Sequence, residues 1–104
     1  MVRHAVGKGR EAAWADTFKA LGDRTRLSIL LRLLQGEQCV TGLAKALELS
    51  TPRISFHLSR MKYASLLVNE RRGQEVYYQV SPALIKKSPE GPILDLDGCL
   101  IKFS

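Results

Sequence analysis

Apolar residues recur every three or four positions through the first two thirds of this chain and every second position afterwards. From Glu11, "EAAWADTFKAL" sets Trp14, Phe18 and Leu21 in one stripe, the signature of an amphipathic helix. Gly22 ends that helix and Asp23 caps a second, "DRTRLSILLRLLQ", predicted to place Leu27, Leu30, Leu31 and Leu34 on one face and to stop at Gly36. "TGLAKALEL" predicts a short third helix with Thr41 as N-cap and Leu43, Ala44 and Leu47 inward. Ser50 caps a fourth, with Pro52 in its first turn, where a missing N–H leaves no helical bond unmade.

Beyond Leu66 the period falls to two. "LLVNERR" and "EVYYQV" read as strands joined through Gly73-Gln74, a β-hairpin. The segment "SPALIKKSPEGP" carries three prolines and a glycine, so any helix there is brief. "ILDLDGCLIKF" predicts a second hairpin turning at Asp97-Gly98, with Leu96 facing Cys99 and Leu94 facing Ile101. One face then holds Leu94, Leu96, Cys99, Ile101 and Phe103. A lone two-stranded hairpin is marginal in water, so it is expected to pack on the domain or on a partner subunit. The expected fold class is mainly α with a β-hairpin wing (α+β), a winged helix-turn-helix with an extra C-terminal β-hairpin. The expected organisation is a basic arm over residues 1–10, a winged helix-turn-helix over 11–80 and a C-terminal extension over 81–104.

At about 100° per residue, Ile54, Leu58 and Met61 of the fourth helix fall in one narrow arc. Phe56, Ser59, Arg60 and Tyr63 fall opposite, with Arg53 at their edge. Such a face suits DNA. Arg53 and Arg60 can meet phosphates, Thr51, Ser55 and Ser59 can hydrogen-bond phosphates or base edges, and Phe56 can pack on thymine methyls. His57 lies at the border of core and groove, where it suits a positioning hydrogen bond to phosphate or to the neighbouring turn. Arg71, Arg72 and Gln74 of the hairpin suit a wing gripping the backbone or minor groove. The plainer alternative is a solvated helix face with one stray aromatic.

Charge supports the first reading. The formal net charge of +6 favours a polyanionic partner, and residues 50–80 hold five Lys/Arg against two acids, whereas residues 81–104 are neutral. The 104 residues suffice for one modest core, no apolar run reaches membrane-span length, and the N-terminus has no signal-peptide hydrophobic region. Two cysteines sixty positions apart suggest reduced thiols, so a cytoplasmic protein without membrane contact is expected. No phosphate loop, nucleophile triad or catalytic zinc spacing is present, so no enzyme is expected.

"FKALGDRTRLSILLRLL", "LSTPRISFHLSRMKYASLL" and "RRGQEVYYQV" together resemble the helix-two, recognition-helix and wing segments of the ArsR/SmtB winged-helix repressors, over about residues 14–80. The resemblance implies a homodimer that binds an imperfect inverted repeat in double-stranded DNA and represses transcription until an inducer releases it. It also implies that arsenite- and cadmium-sensing members carry a Cys-Val-Cys pair where this chain has "EQCVTGL", with Cys39 followed by Thr41. The acids and histidines of the family's other common site, on a long last helix, have no counterpart. Three readings stay open: Cys39 and Cys99 form a metal or metalloid site within or between subunits, Cys39 is a redox-responsive thiol at a helix N-terminus, or both cysteines are packing residues. The sequence requires no cofactor. Two competing functions remain, a winged-helix module for protein contact and a ligand-independent DNA binder.

Overall fold

The computed structural model describes residues 9–103. Four helices come first: α1 (Gly9–Leu21), α2 (Arg24–Leu33), α3 (Val40–Leu47) and α4 (Thr51–Tyr63). A two-residue strand, β1 (Gln38–Cys39), precedes α3, and the hairpin β2 (Leu67–Arg72) and β3 (Glu75–Val80) follows α4. A 3-10 turn at Pro82–Leu84 leads into β4 (Ile85–Ser88), β5 (Gly91–Asp95) and β6 (Leu100–Lys102). The order is that of a winged helix-turn-helix, with two antiparallel sheets, β1-β3-β2 and β4-β5-β6.

The helix boundaries follow local chemistry. Asp23 sits in extended backbone and accepts the Arg26 amide at 3.0 Å, so α2 starts immediately after it. Ser50 accepts the Arg53 amide at 3.3 Å and Pro52 occupies the first turn of α4. The α3 cap differs from expectation: Cys39, not Thr41, is the N-cap, its Sγ accepting the Gly42 amide at 3.4 Å. Pairing of Gln38 and Cys39 with Tyr78 and Tyr77 holds the chain extended up to Cys39, so the helix begins one residue later and Thr41 is already inside it.

The core joins all the helices and both sheets. Ile29, Leu30, Leu43, Ile54, Leu58, Met61, Leu66 and Leu94 are fully buried. Two expected core positions are instead exposed. Leu31 is 41% accessible because it lies about 200° round α2 from both Ile29 and Leu33, which take the core face. Phe18 is 47% accessible, since α1 turns Thr17, Ala20 and Leu21 inward and leaves Phe18 at the stripe's edge.

The wing hairpin has the expected register, Arg72 opposite Glu75 with Gly73-Gln74 between, and Gly73 takes the positive φ of 62° that this turn needs. The tail hairpin also pairs as expected, Leu94 with Ile101, around Asp97 and Gly98. The tail is larger than a hairpin, however, because β4 adds a third strand through Ile85–Leu94 pairing. The tail sheet packs on its own domain. The Trp14 indole N–H donates to the Leu96 carbonyl, and Leu94 and Leu96 are buried in the common core. The predicted arm over 1–10 overlaps α1, which already includes Gly9 and Arg10; residues 1–8, with Arg3, His4 and Lys8, lie outside the described residues.

Candidate nucleic-acid interface

The α4 helix is held by its inner face and presents its outer one. Ile54, Leu58 and Met61 are completely buried, while Thr51, Arg53, Ser55, Phe56, Ser59, Arg60 and Tyr63 are exposed. Phe56 is 52% accessible and Tyr63 93%, and the Arg60 guanidinium lies over the Phe56 ring at 5.0 Å. An arginine stacked on an aromatic keeps its outer N–H groups free for an acceptor in solvent or on a ligand.

His57 turns inward and meets the α1–α2 turn, the second of the two partners expected for it. It is only 8% accessible and points into the junction of α1, α2 and α4. Its Nδ1 lies 3.2 Å from Arg26 Nη1 and 3.9 Å from an Asp23 carboxylate oxygen. Arginine can only donate, so Nδ1 is the acceptor and the ring proton sits on Nε2. Burial holds the imidazole pKa below its ordinary 6.5; Asp23 opposes this, and the Arg26 and Arg53 charges reinforce it. The neutral ring thus ties the reading helix to the α1–α2 turn, with Arg26 Nε donating in addition to the Ala20 carbonyl at 2.6 Å. The Arg26 amide, which donates to Asp23, keeps that carboxyl ionised below its usual range. Arg26 and Asp23 were not legible as site residues, because a capped helix start explains both from sequence.

The two wing arginines differ sharply. Arg71 is exposed and forms no ion pair among the described residues. Arg72 is fully engaged. Its guanidinium grips Glu37 through two bonds at 2.6 and 3.0 Å, donates to Glu70 at 2.7 Å, and stacks over Tyr77 at 4.6 Å. These carboxylates raise the Arg72 pKa further, and Arg72 in turn lowers that of Glu37. Arg72 thus ties the wing to the connection after α2 while its side chain stays 46% exposed. Gln74 is exposed at the tip. Directly across from Arg72, Glu75 accepts from Thr41 Oγ1 at 3.0 Å, which tethers β3 to α3.

Cys39 ends β1 and Cys99 lies in the turn just before β6, both free and partly buried. Cys39 is committed as the α3 cap and also lies 3.3 Å from Thr41 Oγ1. Among the described residues no three His, Cys, Asp or Glu side chains stand close enough to hold a metal ion.

The family model "Bacterial regulatory protein, arsR family" matches residues 23–67. The transcriptional repressor SdpR of Bacillus subtilis is 34% identical over 73 residues, which span 70% of this chain and 81% of SdpR. This chain belongs to the ArsR family. The arsenic resistance transcriptional regulator ArsR1 of Pseudomonas putida is 47% identical over 66 residues, 62% of this chain and 52% of that protein. Across the first relatives the chain spans between half and about three fifths of their length. Among solved structures, the homodimeric winged helix-turn-helix DNA-binding domain of Mb0332 from Mycobacterium bovis superposes with a TM-score of 0.69 at 28% identity, covering 80% of this chain and 77% of the other. The segment that the family model matches, residues 23–67, includes α2, α3 and α4, the last of which carries the outward face. In this ArsR-family chain no described helix is long and apolar enough to cross a membrane.

Proposed function

We propose that the chain is a sequence-specific DNA-binding transcriptional repressor that acts as a homodimer on an imperfect inverted repeat. Residues 11–80 form the DNA-binding unit, α4 enters the major groove, and the β2–β3 wing lies along the adjacent backbone. One observation carries this reading: α4 is locked by three fully buried residues while Arg53, Ser55, Phe56, Ser59 and Arg60 all remain exposed in a row. Arg71 and Gln74 of the wing complete the contact set. His57 and Arg72 position it without touching DNA. Residues 81–104 brace α1, the helix whose Phe18 remains uncovered for a second subunit. A two-fold dimer sets the two α4 helices about 34–36 Å apart, one turn of DNA.

Release of the repressor is read through Cys39. The thiol caps α3, so oxidation or thiol capture removes a hydrogen bond at the start of the helix that leads into α4. A metal or metalloid site at Cys39 or Cys99 draws on donors beyond the described residues of one protomer, because among those no three converge.

Fluorescence anisotropy on DNA from immediately upstream of the gene, beside a scrambled duplex, tests the reading. Tighter binding to the upstream DNA, weakening steeply with salt, is the expected result. Titration with arsenite, Zn²⁺, Cd²⁺ and a mild thiol oxidant then identifies the releasing chemistry. Aromatic protein contact through Phe56 and Tyr63, the rival function, predicts no DNA binding and little salt dependence.

A further inference from the structure

Beside α4 runs a groove of about 580 Å³ that no sequence pattern marks. Asp16 and Lys19 of α1 line it on one side, Ser59, Arg60 and Tyr63 of α4 on the other, and Arg26 of α2 contributes as well. Three cations face one carboxylate. Lys19 and Arg60 form no ion pair with any described residue, and both are exposed. Ser59 and Arg60 also belong to the outward face of α4, so the groove continues the surface assigned to the major groove.

A helix seated in the major groove is flanked by the phosphate strands on either side, because that groove is only about 12 Å wide. The element packed alongside the helix is then carried over a strand. On the side of this groove that element is α1, whose last turn holds Lys19. We infer that the groove seats a DNA backbone phosphate, with Lys19 and Arg60 as its cations and the Ser59 hydroxyl as a hydrogen-bond donor, extending the interface from the recognition helix onto α1. The inference rests on the repressor reading and adds Lys19 as a contact. The net positive lining, the open form of the groove and its continuity with α4 all match a polyanion lying across it. A lysine is a point charge without the planar fork that reads a guanine, so the seat fixes position and carries no sequence preference.

Phosphate contacts are independent of sequence, so a random 30-base-pair duplex suffices as probe. Affinity of the full chain is measured by anisotropy from low to moderate KCl, and log K is plotted against log salt concentration. Lys19→Gln is expected to weaken binding several-fold at low salt and to flatten the slope by about 0.9 for each bound protomer, while Lys19→Arg keeps the wild-type slope. Lys87→Gln removes the same charge from the exposed tail and keeps the slope, which separates a contact from a general change in net charge. Circular dichroism confirms that each variant is folded. A Lys19→Gln slope equal to that of Lys87→Gln, with wild type binding normally, overturns the phosphate seat alone. Wild-type protein that does not bind the duplex even at low salt overturns the repressor reading and the seat together.

Discussion

Replacing Arg26 with methionine removes the guanidinium and keeps an apolar stem. Two interactions go: the bond from Nε to the Ala20 carbonyl at 2.6 Å and the one from Nη1 to His57 Nδ1 at 3.2 Å. Hydrogen bonds from a charged donor contribute about 1.5–3 kcal/mol each. The carbonyl bond is short, the imidazole bond long, and the site partly exposed, so the combined loss at pH 7.5 is expected near 2–3 kcal/mol. The pH dependence is the sharper signature. In the folded wild type the His57 pKa lies below 6.5, so the unfolded chain takes the proton first. Stability is therefore complete above about pH 6.5 and falls on acidification until folded His57 titrates too. Without Arg26 a repulsive cation is gone and Asp23, 3.9 Å away, favours the imidazolium, so the folded pKa rises and the acid loss shrinks. The gap between wild type and Arg26→Met is therefore expected to narrow between pH 7.5 and 5. Urea unfolding followed by circular dichroism, at fixed protein concentration, measures both. Parallel stability curves across that range, or a loss below about 0.5 kcal/mol, would refute the link between the α1–α2 turn and the reading helix.

Other substitutions separate roles that look alike from sequence. Cys39→Ser keeps an N-cap acceptor and is expected to hold stability within about 0.5 kcal/mol, whereas Cys39→Ala costs about 1 kcal/mol; equal unfolding midpoints for the two would remove the capping role. Arg72→Gln and Glu37→Gln should weaken DNA binding similarly and leave its salt slope unchanged, whereas Arg71→Gln lowers the slope by about 0.9 for each protomer bound. A slope change with Arg72→Gln that Glu37→Gln does not share would restore Arg72 as a phosphate contact. Trp14→Phe deletes the indole donor to the Leu96 carbonyl, which keeps only the long bond from the Cys99 amide at 3.5 Å, an expected loss of about 0.5–1.5 kcal/mol. Protection of the β5 and β6 amides from hydrogen exchange should fall with it; unchanged protection would show that the tail sheet is held by other contacts.

Much of the architecture was legible because it is locally coded. Asp23 and Ser50 cap helices through their own side chains, and Asp97-Gly98 sets the tail register within four residues. The outward row of α4 was legible for the same reason, since helical angle alone separates Arg60 from Leu58. The misses share the opposite property. β4 pairs Ile85 with Leu94 across nine positions, and β1 exists only because β3, almost forty residues later, supplies its partner. Thr41 lost its expected capping role to that same pairing.

Periodicity, caps and turn residues thus determined by themselves that this chain folds as a winged helix-turn-helix and which side of α4 faces out. Tertiary structure alone decided what the individual charges do. Arg71 and Arg72 are adjacent and chemically identical, yet alternation along a strand sends them to opposite faces, and only one meets Glu37 and Glu70. His57 lies at the border of the helical wheel, and the position of Arg26 on a neighbouring helix assigned it to the interior. A local pattern fixes which face a side chain occupies, and only the packing of distant segments fixes the partner it finds there.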